Sequence, residues 1–240
     1  MSNFLKKLID KALFYDRWTC NACGNEIFSG YFCSACQEKV KYVGDNKCLH
    51  CGRVTPYPVN FCDSCIEKNV FFDRALSVFN YQPPISDLIQ KFKYDNKKYL
   101  SKYFAEELFA LCKAQNIDFD VITFVPMHEE RERERGFNQA KILANELALK
   151  LGASVYDCVK KVKLTERQAT LSLSERLKNL SSSFKVEKNF VKDKKLLLVD
   201  DVLTTGATAD TVSKLLKKAG AKQVTVLTVA SVSRYNQEEI

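Results

Sequence analysis

Leu196-Leu197-Leu198-Val199-Asp200-Asp201-Val202-Leu203-Thr204-Thr205-Gly206-Ala207-Thr208-Ala209-Asp210 is the stretch from which the fold is read. Its first four residues are apolar without alternation, as a strand covered on both faces of a parallel sheet requires, and two carboxylates follow. These acids fall at the carboxyl end of the strand, the side of an open α/β sheet where ligands bind. Thr204, Thr205, Gly206, Ala207 and Thr208 then make a turn of small residues that offers hydroxyls and unobstructed N–H groups. A helix is predicted from about Ala207, with Val212, Leu215 and Leu216 on its apolar face. Such a turn, backed by the positive end of a helix dipole, holds a phosphate without a lysine. The acid pair is placed for the hydroxyls of the same sugar phosphate.

This order of strand, acid pair and Thr-Thr-Gly turn resembles the 5-phosphoribosyl-1-pyrophosphate (PRPP) motif of type I phosphoribosyltransferases. The resemblance implies that Asp200 and Asp201 bind the ribose 2′- and 3′-hydroxyls, that Thr204, Thr205, Gly206, Ala207 and Thr208 wrap the 5′-phosphate, and that Mg²⁺ accompanies PRPP.

Strand alternates with helix on the amino-terminal side of the motif. Residues 74–81 read as a strand that Pro83-Pro84 ends, and Ile85, Leu88, Ile89 and Phe92 then recur at helical spacing. A second helix is predicted over 98–114 and a buried strand over 121–125. A third helix spans 137–150, with Ile142, Leu143, Leu147 and Leu151 on one side. A last strand over 224–230 follows Gly220. The alternation predicts an α/β fold, a parallel sheet flanked by helices. Strand 121–125 ends at Pro126-Met127-His128, ahead of Arg131, Arg133 and Arg135, which makes a second candidate anion site. Glu129, Glu130, Glu132 and Glu134 offset these arginines, a pattern that salt-bridged solvated surfaces also show.

Eight of the ten cysteines form four Cys-x-x-Cys pairs: Cys20/Cys23, Cys33/Cys36, Cys48/Cys51 and Cys62/Cys65. Cys20-Asn-Ala-Cys-Gly with Tyr31-Phe-Cys-Ser-Ala-Cys matches Cys48-Leu-His-Cys-Gly with Asn60-Phe-Cys-Asp-Ser-Cys, so the unit is duplicated. A Cys-x-x-Cys knuckle lets two thiolates meet one ion, and two knuckles complete a tetrahedral Cys₄ site. Each repeat is therefore expected to hold one structural zinc. Duplication of a whole unit favours sequential pairing, with a cross-braced arrangement as the alternative. Disulfides fit poorly, because nothing in residues 1–18 reads as an export signal. His50 lies inside a knuckle but is not needed as a ligand, and Cys112 and Cys158 sit in apolar contexts as core residues.

Ribbon pair and PRPP motif join three further segments: Pro126-Met127-His128, Arg135-Gly136-Phe137-Asn138-Gln139, and Gln168, Leu171, Glu175-Arg176, Asn179 with Phe184. Together they resemble the ComF family of competence proteins, a tandem zinc ribbon followed by a phosphoribosyltransferase-like domain. The resemblance implies a factor of natural transformation that binds incoming single-stranded DNA on the cytoplasmic side, at or near the inner face of the membrane. It implies PRPP as effector or substrate and other DNA-uptake proteins as partners. In phosphoribosyltransferases the loop after the strand at 121–125 binds pyrophosphate, which gives that role to residues 127–136, His128 and Arg135 among them. Residues 163–179, with Arg167 and Arg176, would close over the site. No acceptor site is identifiable, so the competing reading is a free-standing phosphoribosyltransferase for a small nucleobase or amine, its ribbons purely structural.

A chain of 240 residues with 46% hydrophobic residues has ample material for a core. Three units are expected: an amphipathic helix over 1–19, the tandem ribbon over 20–71 and the phosphoribosyltransferase-like domain over 72–240. No apolar run is long enough to span a bilayer. The formal charge of +8 falls to about +4 once eight thiolates hold two Zn²⁺, so basicity alone is a modest argument for nucleic acid. Locally, Lys91, Lys93, Tyr94, Lys97, Lys98 and Tyr99 interleave lysines with aromatics, as a surface for single strands does; Lys160, Lys161 and Lys163 form a second cluster. A solvated helix face is the competing reading of either.

Overall fold

The computed structural model describes residues 19–68, 70–163 and 182–233. The helix expected over 1–19 and the closing segment expected over 163–179 lie, but for their described end residues, outside these, Arg167 and Arg176 included. In chain order the elements are α1 (Ser34–Gln37), α2 (Asp63–Lys68), β1 (Arg74–Asn80), α3 (Ile85–Tyr94), α4 (Leu100–Ala114), β2 (Val121–Phe124), α5 (Glu129–Arg135), α6 (Gln139–Leu151), β3 (Val159–Lys161), β4 (Phe184–Val186), β5 (Lys195–Leu203), α7 (Ala207–Lys218) and β6 (Gln223–Ser231). Strands β1, β6, β5 and β2 pair in that order in one all-parallel sheet. Beyond the β2 edge, the antiparallel pair β3–β4 continues through bridges from Ile122 to Val155 and from His128 to Lys161. Among the described residues no helix is long and apolar enough to cross a membrane.

The central strand behaves as its composition dictates. Leu196, Leu197, Leu198 and Val199 are fully buried, and the chain becomes partly exposed only at Asp200. Helix α3 buries Ile85, Leu88, Ile89 and Phe92, the four residues at helical spacing. Helix α6 starts two residues later than its apolar pattern suggests, because Asn138 caps it. The Asn138 Oδ1 accepts from the N–H groups of Ala140 (3.0 Å) and Lys141 (3.3 Å), and its Nδ2 donates to the Val125 carbonyl at 3.2 Å. One side chain thus starts the helix and ties it to the end of β2.

Residues 129–135, expected as a loop, are helical. Glutamates in the first turn and Arg133 and Arg135 in the last complement the helix dipole, Arg133 bridges to Glu129 at 3.4 Å, and Gly136 ends the helix with φ of 82°.

Strand β1 lies at the edge of the sheet, and the ribbons cover it. Val43 N–H donates to the Val78 carbonyl (2.8 Å), Asn80 N–H to Lys41 (2.9 Å) and Ala75 N–H to His50 (2.7 Å). The first ribbon is held further by a cluster in which Tyr31, Phe32 and Phe79 all pack on Tyr103 of α4, at centroid distances of 4.7, 5.6 and 6.0 Å. Aromatic pairs of this kind add about 0.5–1.5 kcal/mol each beyond their buried area.

Gly52 marks the closest approach of the second ribbon to the sheet. A Cβ there would meet the Ala75 carbonyl oxygen at 2.6 Å and the Leu76 Cα at 3.2 Å, and its φ is +69°. Gly30 has a similar φ of +79° and nothing within 4 Å. Gly52→Ala is therefore expected to cost about 2–4 kcal/mol, against roughly 1–2 kcal/mol for Gly30→Ala, which carries the backbone strain alone. Chemical denaturation of the two variants side by side measures the difference, and equal losses would show that the ribbon does not press on β1.

Candidate functional site

The carboxyl ends of β5 and β2 meet on one side of the sheet, since Phe124 is in register with Val199. Asp200 and Asp201 are both partly buried there, and Asp201 N–H donates to Asp200 Oδ1 at 2.8 Å. Lys93, from the last turn of α3, brings its Nζ to 2.8 Å from Asp201 Oδ1. Loss of hydration, reinforced by the neighbouring Asp201 charge, pushes the Asp200 carboxyl up to about 8, with Lys93 as the nearest opposing charge. Burial pulls the Lys93 ammonium down, but Asp201 and then Asp200 outweigh it and hold the group above its ordinary value.

The turn that follows keeps Thr204 and Thr205 exposed. Gly206, at φ of 77°, stands at the N-cap of α7, where the Thr205 hydroxyl accepts from Ala207 N–H at 3.3 Å. Ala207 and Thr208 open the helix, so all five turn residues surround its N-terminus. Two contacts from the amino-terminal half of the chain reach this corner. Arg53 of the second ribbon donates through Nη2 to the Thr204 carbonyl, and Phe71 N–H donates to Asp210 Oδ1 at 2.5 Å.

His128 and Arg135 bracket α5. His128 is its N-cap, and its Nδ1 accepts from Glu130 N–H at 3.3 Å. The Arg135 guanidinium lies 4.8 Å over the Tyr94 ring and donates to Gln139 Oε1 at 2.7 Å. A cavity of about 410 Å³ opens at the end of β2, lined by His128, Glu129, Lys141, Asp157, Lys160 and Lys161. The second basic cluster of the sequence thus flanks the second candidate anion segment.

The lysine–aromatic segment is spread over four tasks. Lys91 Nζ donates to the Asn21 carbonyl (2.7 Å) and the Tyr99 hydroxyl to Asn21 Oδ1 (2.6 Å), so both hold the first ribbon. Lys93 turns to the acid pair and Tyr94 to Arg135. Lys98 lies 4.7 Å over Phe137 and Lys97 5.9 Å over Tyr99. Lys98 and Tyr94 keep broad exposure. The sequence pattern gave no sign that Lys93, 108 residues from Asp201, belongs with the acids.

Two cysteine clusters that could hold a metal ion form sequentially: Cys20, Cys23, Cys33 and Cys36 together, and Cys48, Cys51, Cys62 and Cys65 together, all ligand atoms of a set within 4.8 Å of one another. Sulfur separations of 3.7 Å (Cys23–Cys33, Cys51–Cys62, Cys62–Cys65) and 4.0 Å (Cys48–Cys65) match the edge of about 3.8 Å that a tetrahedron with ~2.3 Å Zn–S bonds requires. Backbone donors face the sulfurs, as Cys62 N–H does Cys48 Sγ at 3.2 Å. Burial works against ionisation of Cys20, but N–H groups of Cys23, Cys33 and Ala22 bring its thiol down to about 6. These residues fit zinc. His50 is stacked on Phe72 (5.3 Å) and tilted against Phe61 (4.9 Å) outside the sulfur set, and Cys112 and Cys158 are buried core residues.

A phosphoribosyl transferase domain model matches residues 133–239. Competence protein F of Haemophilus influenzae is 33% identical over 202 residues, covering 81% of this chain and 87% of that protein. The chain belongs to the ComF family of competence proteins. Competence protein ComFC of Streptococcus pneumoniae is 31% identical over 196 residues (80% of this chain, 84% of that one). DNA utilization protein YhgH of Salmonella typhimurium is also 31% identical, over 201 residues (81% and 87%). This ComF protein therefore combines a phosphoribosyltransferase-like parallel sheet with two amino-terminal Cys₄ clusters.

Two outcomes follow for the site. Elemental analysis is expected to give two zinc ions per chain, falling to one in Cys20→Ser with the parallel sheet retained; a single ion in the parent protein would refute the paired sites. Asp200 binds its proton more tightly folded than at its ordinary value of 3.8, so its penalty on stability is absent below that pH, grows up to about pH 8 and is constant above. Asp200→Asn should therefore raise Tm at pH 9 and lose that advantage toward pH 4. A Tm difference independent of pH would show that Asp200 is not held protonated.

Proposed function

We propose that this ComF protein acts on incoming DNA in the cytoplasm, binding PRPP with Mg²⁺ at the end of β5 and single-stranded DNA on the face next to it. The acid pair followed by a glycine turn at a helix N-terminus carries the PRPP half of this reading. In it Asp200 and Asp201 take the ribose hydroxyls, the N–H groups around Gly206 take the 5′-phosphate, and His128 and Arg135 lie on the pyrophosphate side. Hard oxygen donors such as these two carboxylates suit Mg²⁺, which would supply charge neutralisation for the pyrophosphate. Before ligand arrives Lys93 compensates the Asp201 carboxylate, while burial keeps Asp200 protonated near neutral pH, so Lys93 belongs to the acid pair.

Relatives named competence protein F and DNA utilization protein support the DNA half. Lys97 and Lys98 supply cations for phosphates and Tyr94 a ring for base stacking, with Tyr57 of the second ribbon 67% exposed and able to extend the face. Lys91 stays in the face at its rim, engaged with the first ribbon.

Calorimetry and fluorescence anisotropy on one set of variants separate the two ligands. Asp200→Asn with Asp201→Asn is expected to abolish PRPP binding. Lys97→Ala with Lys98→Ala should leave PRPP binding alone, weaken binding of an oligonucleotide, and flatten the slope of log affinity against log salt by about 1.4. PRPP binding unchanged in the double aspartate variant would remove the site. Absence of single-strand binding at low salt, together with pyrophosphate release on one small acceptor, would favour the free-standing phosphoribosyltransferase.

A further inference from the structure

Arg53 follows the knuckle of the second ribbon, and Asn25 occupies the matching place in the first. The two positions do the same backbone work: Cys48 N–H donates to the Arg53 carbonyl (2.9 Å) and Cys20 N–H to the Asn25 carbonyl (2.7 Å). Ribbon architecture therefore does not need an arginine side chain. Yet that side chain is only 5% exposed, its Nε is buried without a hydrogen-bond partner, and among the described residues no carboxylate forms an ion pair with it. Its Nη2 donates to the Thr204 carbonyl and stands 3.4 Å from where a Cβ on Gly206 would be. A guanidinium keeps its charge when buried, and one held without a paired carboxylate is costly, so packing alone does not account for its place against this turn.

We propose that Arg53 is a positioning residue of the phosphate site, so that the anion-binding turn is completed by the second ribbon. This role rests on PRPP binding at the end of β5. In a trans peptide the carbonyl and the next N–H point in opposite directions. Arg53 draws the Thr204 carbonyl toward the ribbon and so directs the Thr205 N–H away from it, toward an anion at the N-terminus of α7. Its charge adds to the field of that helix end.

Isothermal titration of PRPP with Mg²⁺ and of pyrophosphate with Mg²⁺ into the full-length zinc-loaded protein and its Arg53→Met variant tests this. Methionine fills the space without charge. PRPP affinity is expected to fall at least tenfold while pyrophosphate, which has no 5′-phosphate, binds as before and zinc content is unchanged. Equal losses for both ligands, or no loss for PRPP, would overturn the proposal. If the methionine variant does not fold, Arg53→Lys decides: it keeps charge but not the planar fork, so about a threefold loss confined to PRPP is expected and unaltered affinity overturns it. Failure of the parent protein to bind PRPP would instead refute the PRPP reading itself and this inference with it.

Discussion

An edge strand of a parallel sheet presents a row of N–H and C=O groups that must find partners, and β1 is such a strand. It pairs with β6 on one side, and on the other takes its hydrogen bonds from Lys41, Val43 and His50 in the ribbons. The ribbons are too short and too poor in aliphatic residues to fold unaided, and their two Cys₄ clusters are built to hold the metal ions that would fix their shape. Each part supplies what the other lacks. The knuckle at Gly52 is pressed against the Ala75 carbonyl, and this contact sets where Arg53 emerges. Asn21, inside the first knuckle, is likewise fixed against Lys91 and Tyr99.

The end of α3 distributes these constraints. Successive helical residues point about 100° apart, and four consecutive ones use four directions. Lys91 reaches the ribbon, Phe92 enters the core, Lys93 reaches Asp201, and Tyr94 carries Arg135. A shift in this turn is felt at both strand ends at once. Residues 91–94 therefore act as one joint between ribbon, acid pair and α5.

What the sequence could and could not disclose follows from the range of the forces. Unbroken burial of Leu196, Leu197, Leu198 and Val199, the helical spacing of Ile85 to Phe92 and the Cys-x-x-Cys pairs are local patterns, and each was legible. Helix α5 was hidden because its Glu–Arg alternation has no apolar face; only dipole and i,i+4 pairing mark it. The partners of Lys93 and Arg53 lie 108 and 151 residues away, so nothing adjacent in sequence distinguishes these two from other solvated cations. The residues of the acid pair were legible, but the charges around them were not.

Those charges decide how the site responds to a ligand. Asp201 already has Lys93 at 2.8 Å, while burial and the Asp201 charge hold Asp200 well above the ordinary carboxylate range. A cation arriving at the strand end must compete with Lys93 for Asp201 and must displace a proton from Asp200 near neutral pH. Both events are local, yet Lys93 shares its helical turn with Tyr94 and lies close in sequence to Lys97 and Lys98. Within the proposed function, a ligand that loosens the Lys93–Asp201 pair alters the lysine face, and by reciprocity of coupled equilibria anything bound to that face alters affinity at the acids by the same factor.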